Sequence, residues 1–322
     1  MAIPPGEKNK KLKASVSGEP MAAEVVLKQL RARGKAASII SSVSGPQLPI
    51  GGIEEHLQGI AIRKDGRGRP HAYLTTNAEG GKIIVARNEP DGKNYIVEEE
   101  PVGFNKKDIH PGGIQIIGHF LVVPIFNDEY SGIEIRDLND GLSVIKEFRI
   151  DRRAYSVGIA TTSDNRGEFY VMAVVTHSEA RRVNIYRTPS NLKLSHPSCF
   201  FELKCIYKPG SKVKDLKKNW NNYSNGISLL SDENNNLYFL GFFKTTLLPG
   251  GKDFADLYHL DLTQPEDKLF KRLSRFHAKC NDGPAFRWGA SAFVLGDDNL
   301  EIYACEKNVQ KKTTIRKDMF SK

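Results

Sequence analysis

Short apolar runs, some alternating with polar residues and some continuous, fill this chain from about position 36 onward. Their length and period are those of β-strands rather than helices. Between them stand turns such as Asp65-Gly66, Gly80-Gly81 and Asp91-Gly92, whose residues accept the backbone angles needed to reverse a hairpin. The runs group in fours. One set reads Leu57 to Ile62, His71 to Asn77, Lys82 to Asn88 and Tyr95 to Glu99, and the next Gly113 to Ile117, Phe120 to Ile125, Gly132 to Asp137 and Leu142 to Phe148. Two further sets begin at Ser156 and Gly226. The last, opening at Ala290, has only three runs before the sequence ends.

Each set opens on a similar phrase: Gln58-Gly59-Ile60, Gly112-Gly113-Ile114, Val157-Gly158-Ile159, Asn225-Gly226-Ile227 and Trp288-Gly289-Ala290. Successive glycines are 54, 45, 68 and 63 residues apart, a period that suits four-stranded propeller blades. The pattern predicts an all-β fold over 36–322, a five-bladed β-propeller. The apolar run Ala37 to Val43 is expected to complete the short last blade, closing the ring with an N-terminal strand and removing an open sheet edge. The long interval between Gly158 and Gly226 leaves room for a sixth blade.

Residues 1–35 follow another pattern. Met1 to Gly18 is polar and Lys-rich, which predicts a basic, partly disordered extension. From Pro20 to Arg33, Ala22, Val26 and Leu30 recur at helical spacing and predict a short helix, docked on the propeller or a partner.

Charge changes the picture only at the ends. The formal net charge is +9, but residues 1–35 hold eight Lys/Arg against three Asp/Glu and residues 306–322 hold six against two. The body between them is neutral, which argues against a nucleic-acid groove. An internal basic stretch, Lys204 to Lys218, is a candidate contact for a protein partner. The four cysteines lack metal-site spacing and read as buried thiols. No apolar stretch reaches membrane-spanning length, and no apolar core follows the N-terminal lysines. The expected compartment is the cytoplasm.

Aligning the glycines collects the candidate chemistry. Three positions before the aligned glycine stand His56, His110, Tyr155, Tyr223 and Phe286; one position before it, Gln58, Asn225 and Trp288 add polar and aromatic groups, with Arg287 beside them. In a propeller the innermost strands line a central channel, so His56, Gln58, His110, Tyr155, Tyr223, Asn225, Arg287 and Trp288 are predicted to form one ligand-binding mouth. Two imidazoles could exchange protons or hold a metal, although no third ligand stands at a telling spacing. Aromatic faces and amides suit a sugar. A carboxylate pair of the kind glycosidases use is not apparent in the pattern.

These repeats resemble five-bladed β-propeller proteins, a group that includes sugar-binding lectins and glycosidases such as arabinanases and levansucrases. The resemblance implies architecture and leaves activity open. Expected is a binding module whose central pocket takes a small polar ligand or sugar. The alternatives are a hydrolase or lyase using the pocket histidines, with or without a metal, and a protein-interaction scaffold.

Overall fold

The computed structural model describes residues 11–13, 20–22, 42–48, 53–66, 68–88, 95–103, 108–177, 182–208, 223, 226–232, 234–244, 253–278, 285–286, 288–295, 299–306, 308–309 and 313–320. Their strands form antiparallel sheets with almost no helix, in a β-propeller arrangement. Four sheets are cut from continuous chain. The first contains Ile53–Lys64, Pro70–Thr76, Lys82–Asn88 and Tyr95–Pro101. In the second, His110–Pro111 and Gln115–Ile117 share one edge of Phe120–Phe126, followed by Ser131–Asp137 and Ser143–Arg149. The third comprises Arg153–Asp164, Gly167–His177, Arg182–Arg187 and Glu202–Tyr207, and the fourth Ile227–Asp232, Leu237–Lys244, Asp253–Leu260 and Phe270–Ala278.

A further sheet is composite. Ala290–Leu295, Asn299–Cys305 and Thr313–Phe320 are completed by Ser42–Leu48, which pairs antiparallel with Thr313–Phe320. This strand lies later than the predicted run Ala37 to Val43. Of that run only Ser42 and Val43 are described, and the ladder continues through Gln47 and Leu48. The N-terminal helix also needs correction where residues are described: Pro20–Ala22 is a strand paired with Lys11–Lys13, which in turn pairs with Ile227–Asp232. The remainder of the predicted helix lies outside the described residues.

Each seam between sheets has its own apolar core. Ile83, Ile116 and Val123 meet between the first and second sheets, and Val122, Ile133 and Val174 between the second and third. Val183, Leu229 and Phe239 fill the next seam, Leu240, Ala292 and Ile302 the one after it. Leu74, Ile84, Tyr303 and Ile315 join the composite sheet to the first. Because both faces of these sheets are covered, central strands such as Phe120–Phe126 are apolar throughout rather than alternating.

The repeated glycines mark where the inner strands come together. A Cβ on Gly112 would stand 1.8 Å from the Tyr155 carbonyl oxygen, so only hydrogen fits there. Gly112 stands one position before the aligned Gly113; in the other sheets the aligned glycine itself makes the approach, from Gly59 to Gly112, Gly158 to Leu229, Gly226 to Ala290 and Gly289 back to Gly59. Pro124 explains how the second sheet manages its approach. Proline has no N–H to give, and the inner edge is broken opposite it, between His110–Pro111 and Gln115–Ile117. Freed from that ladder, Gly113 instead bonds across to the third sheet: its N–H donates to Tyr155 O at 2.9 Å, and Val157 N–H donates to Gly113 O at 3.0 Å.

Near the axis, the fully buried Gln115 side chain makes four hydrogen bonds to two other sheets. Its amide nitrogen donates to Ile159 O (3.0 Å) and Leu229 O (2.9 Å), while its oxygen accepts from Ile159 N (3.0 Å) and Leu229 N (2.9 Å). All its donor and acceptor sites facing these strands are satisfied. Gln115→Leu keeps the volume but strands four buried backbone groups; it is expected to lower unfolding free energy by roughly 4 kcal/mol in urea titrations. Gly112→Ala is expected to prevent the native near-ultraviolet dichroism signal altogether, since the clash is with backbone that cannot turn aside.

Candidate functional site

The inner strands begin on one face of the propeller, and two loops of the second and third sheets build a cleft there. One is the turn Asn127 to Tyr130. It is fixed by its own first residue: Asn127 Oδ1 accepts from Glu129 N (2.9 Å) and Tyr130 N (2.7 Å), and Asn127 N donates to Tyr130 O (2.8 Å). The other is the sheet-to-sheet connection, residues 149–153. Asn127, Asp128, Glu129, Tyr130, Arg149, Asp151 and Arg153 are among the residues lining a cleft of about 300 Å³.

Beside this cleft an aromatic stack rises in register. His110 is paired with Phe126 across the ladder, and their rings stack at 5.4 Å with 22° between planes. Phe126 in turn lies 4.8 Å from Tyr155, at 38°. All three are partly exposed. The Arg153 guanidinium lies 6.0 Å from the Phe126 centroid and donates to Asp128 Oδ1 at 2.5 Å. Asp128 is 92% exposed, so this pair contributes little to stability and leaves both charges within reach of a solute.

Tyr130 anchors the back of the turn. Its hydroxyl donates to Glu147, and burial together with that bond pushes its pKa up, so it stays a donor at neutral pH. Arg149 lies over the same ring, 5.9 Å from its centroid.

A second group gathers around His56. The Gln58 amide nitrogen donates to His56 Nε2 at 2.7 Å, which requires a neutral imidazole accepting at that atom. The edge of Trp288 meets the His56 ring at 5.6 Å and 70°. Asn308 pairs with His56 through the backbone. Trp288 also packs on the core between the composite and first sheets, so this group is partly structural.

Tyr223 does not belong to the mouth. It is fully buried, with its hydroxyl donating to Asp256 Oδ2 at 2.6 Å and standing 3.0 Å from the Tyr258 hydroxyl. Gly241 makes room for the ring: a Cβ there would come within 2.9 Å of it. Arg275 completes the cluster with two bonds to Asp256, at 2.6 and 2.7 Å. Burial first, then the Asp256 charge, holds the Tyr223 hydroxyl protonated well above the ordinary phenol range. Phe286 is likewise turned inward, edge-on to Phe242 at 5.3 Å. Of the positions three before each aligned glycine, His56, His110 and Tyr155 are therefore partly exposed, whereas Tyr223 and Phe286 are buried. Asn225 and Arg287 lie outside the described residues, as do residues 209–218 of the predicted basic stretch.

Among the described residues no group of three or more His, Cys, Asp or Glu is arranged to hold a metal ion, and no helix is long and apolar enough to cross a membrane. Sequence reasoning missed Phe126, Asp128 and Asp151. Asn127-Asp128 after an apolar run signals a turn, but its proximity to His110 follows only from the pairing of Phe126 with that residue.

Fold and cleft together define a β-propeller with a polar and aromatic mouth on one face. No protein-family model matches the chain, and no curated protein sequence matches it. Among solved structures it is similar to a member of the GH130 family of mannoside phosphorylases, described as containing glycoside hydrolases that target β-1,2 mannosidic linkages in Candida mannan, at 12% identity and TM-score 0.46 over 89% of this chain and 92% of that one. It also resembles proteins described as glycoside hydrolases of Parabacteroides distasonis (12% identity, TM-score 0.42, 89% and 95% covered) and Bacteroides ovatus (9%, 0.43, 88% and 92%). At these identities the likeness concerns fold alone.

Tyr223→Phe is expected to lower unfolding free energy by about 1 to 2 kcal/mol, because it removes a donor from a buried carboxylate. Tryptophan emission of the folded variant should match the parent's, while its near-ultraviolet dichroism should lose only the contribution of this one buried tyrosine.

Proposed function

We propose that the composite sheet serves as the fifth blade of a closed ring, and that the mouth of this five-bladed propeller is a binding site for a small polyhydroxylated ligand, a sugar. The observation that carries this reading is the partly exposed stack of His110, Phe126 and Tyr155 beside the Arg153–Asp128 pair. Ring faces stack on the apolar C–H faces of a sugar, while exposed guanidinium and carboxylate groups can read hydroxyls. His56, Gln58 and Trp288 are assigned to the same binding site, and Asn225 and Arg287 are kept as candidates on their sequence positions alone.

A hydrolase is the second reading, and one observation favours it over the histidine-and-metal version. Asp128, Glu129 and Asp151 all line the cleft, and glycosidic hydrolysis is commonly performed by two carboxyl groups flanking the bond.

Calorimetric titration with a panel of neutral oligosaccharides, alongside an assay for released reducing ends, tests both. For a binding module, Tyr155→Ala and Phe126→Ala should each weaken the best ligand about tenfold or more while leaving the thermal midpoint within a few degrees, and no reducing ends should appear. Release abolished by Asp128→Asn or Asp151→Asn would instead establish the hydrolase. Unchanged affinity in both aromatic variants would remove the mouth from consideration.

A further inference from the structure

One residue pins both ends of the connection that lines the mouth-face cleft. The buried Ser131 accepts from Ile150 N through its carbonyl (2.8 Å) and from Ala154 N through its hydroxyl (3.0 Å). Ile150 is turned into the core between the second and third sheets. The residues left between the pins, Asp151, Arg152 and Arg153, all line the cleft of about 300 Å³, as does Arg149 just before them. Their backbone is therefore set in advance of any ligand.

The three arginines of this stretch are unequally provided for. Arg153 is paired with Asp128. Arg149 reaches the facing turn, where its Nη2 donates to Glu129 O at a long 3.4 Å and its guanidinium lies over the Tyr130 ring; it makes no ion pair among the described residues. Arg152 makes neither a hydrogen bond nor an ion pair among the described residues. Of the charged residues lining the cleft, Arg152 is the one partly buried; Asp128, Glu129 and Asp151 are all exposed. Water and salt screen those three carboxylates more fully than they screen Arg152.

A guanidinium that borders an open cleft and gives none of its five donors to its own protein can take an acceptor from outside. Its planar fork matches a carboxylate, which receives two parallel hydrogen bonds. The charge of the lining limits that acceptor. Arg149, Arg152 and Arg153 are balanced in formal charge by Asp128, Glu129 and Asp151, so the cleft has no excess to hold a dianion, and a phosphate would meet the rim acids with twice the charge. An ammonium would pair with acids that water already solvates and would leave Arg152 without a partner. We infer that the sugar taken at this mouth is a uronate, its carboxylate held by Arg152 with Arg149 beside it. This rests on the reading of the mouth as a sugar site and adds the charge that the ligand carries.

Calorimetric titration of the full chain with matched pairs, glucose and glucuronate, galactose and galacturonate, mannose and mannuronate, tests the inference. In at least one pair the acid should bind about tenfold more tightly than the neutral sugar. Arg152→Gln should erase that margin and Arg149→Gln should reduce it. Added sodium chloride should narrow it in the parent while leaving the neutral sugar's affinity unchanged. Arg152 holds no other described residue in place, so the thermal midpoint of Arg152→Gln should equal the parent's. Tyr155→Ala should weaken both members of the pair alike. Neutral sugars that bind as tightly as their acids in every pair, or a margin that survives Arg152→Gln, would overturn the uronate and leave the sugar site standing. Glucose 6-phosphate binding more tightly than glucuronate would overturn the carboxylate in favour of a phosphate. Binding by neither member of any pair would remove the inference together with the reading of the mouth beneath it.

Discussion

Backbone meets backbone at the centre of this propeller, and the rest of the structure accommodates that contact. Inner strands cannot approach one another this closely while each carries a Cβ toward its neighbour, so glycines stand at the meeting points. Gly112 against Tyr155 O is the tightest of them. Once strands lie this close, their unpaired N–H and C=O groups need partners in a space too narrow for many side chains. A single amide, Gln115, supplies four bonds to Ile159 and Leu229. Thr75 Oγ1 donating to Gly112 O and Ser156 Oγ donating to Tyr223 O, both at 2.8 Å, do the same work at other seams.

The propeller class was legible because this constraint leaves a glycine at or next to the aligned position in each sheet. A strand run such as Phe120 to Ile125 was visible from continuous apolarity, which buried sheets require. Less legible was the last sheet's closing strand. Ser42–Leu48 contains Ser, Gly, Pro and Gln, and its strand character comes from the ladder offered by Thr313–Phe320 rather than from its own composition. Pro20–Ala22 shows the converse, an apolar spacing that suggested a helix where described residues pair as strand.

The candidate residues differ in burial for a related reason. Glycine alignment predicts which residues stand at the start of each inner strand, but not whether the neighbouring strand leaves room for them. Tyr223 and Tyr155 occupy equivalent positions. Gly241 opens a slot beneath the first and draws it into the core, whereas Phe126 stands beside the second and keeps it near the surface. That difference is set by residues on other strands, at separations no local pattern reveals. Asp128 was hidden in the same way.

The composite sheet has a kinetic consequence. Ser42–Leu48 and Thr313–Phe320 are far apart in the sequence, and their pairing completes the composite sheet. The earlier sheets are hairpins of neighbouring segments and can form locally, but this one requires a long loop to be closed first. Its core, where Ile315 and Tyr303 meet Leu74 and Ile84, stays open to water until it does. Completion of the composite sheet is thus expected to be the late event in folding, and the same pairing is the natural place for the propeller to open under tension applied to its two strands.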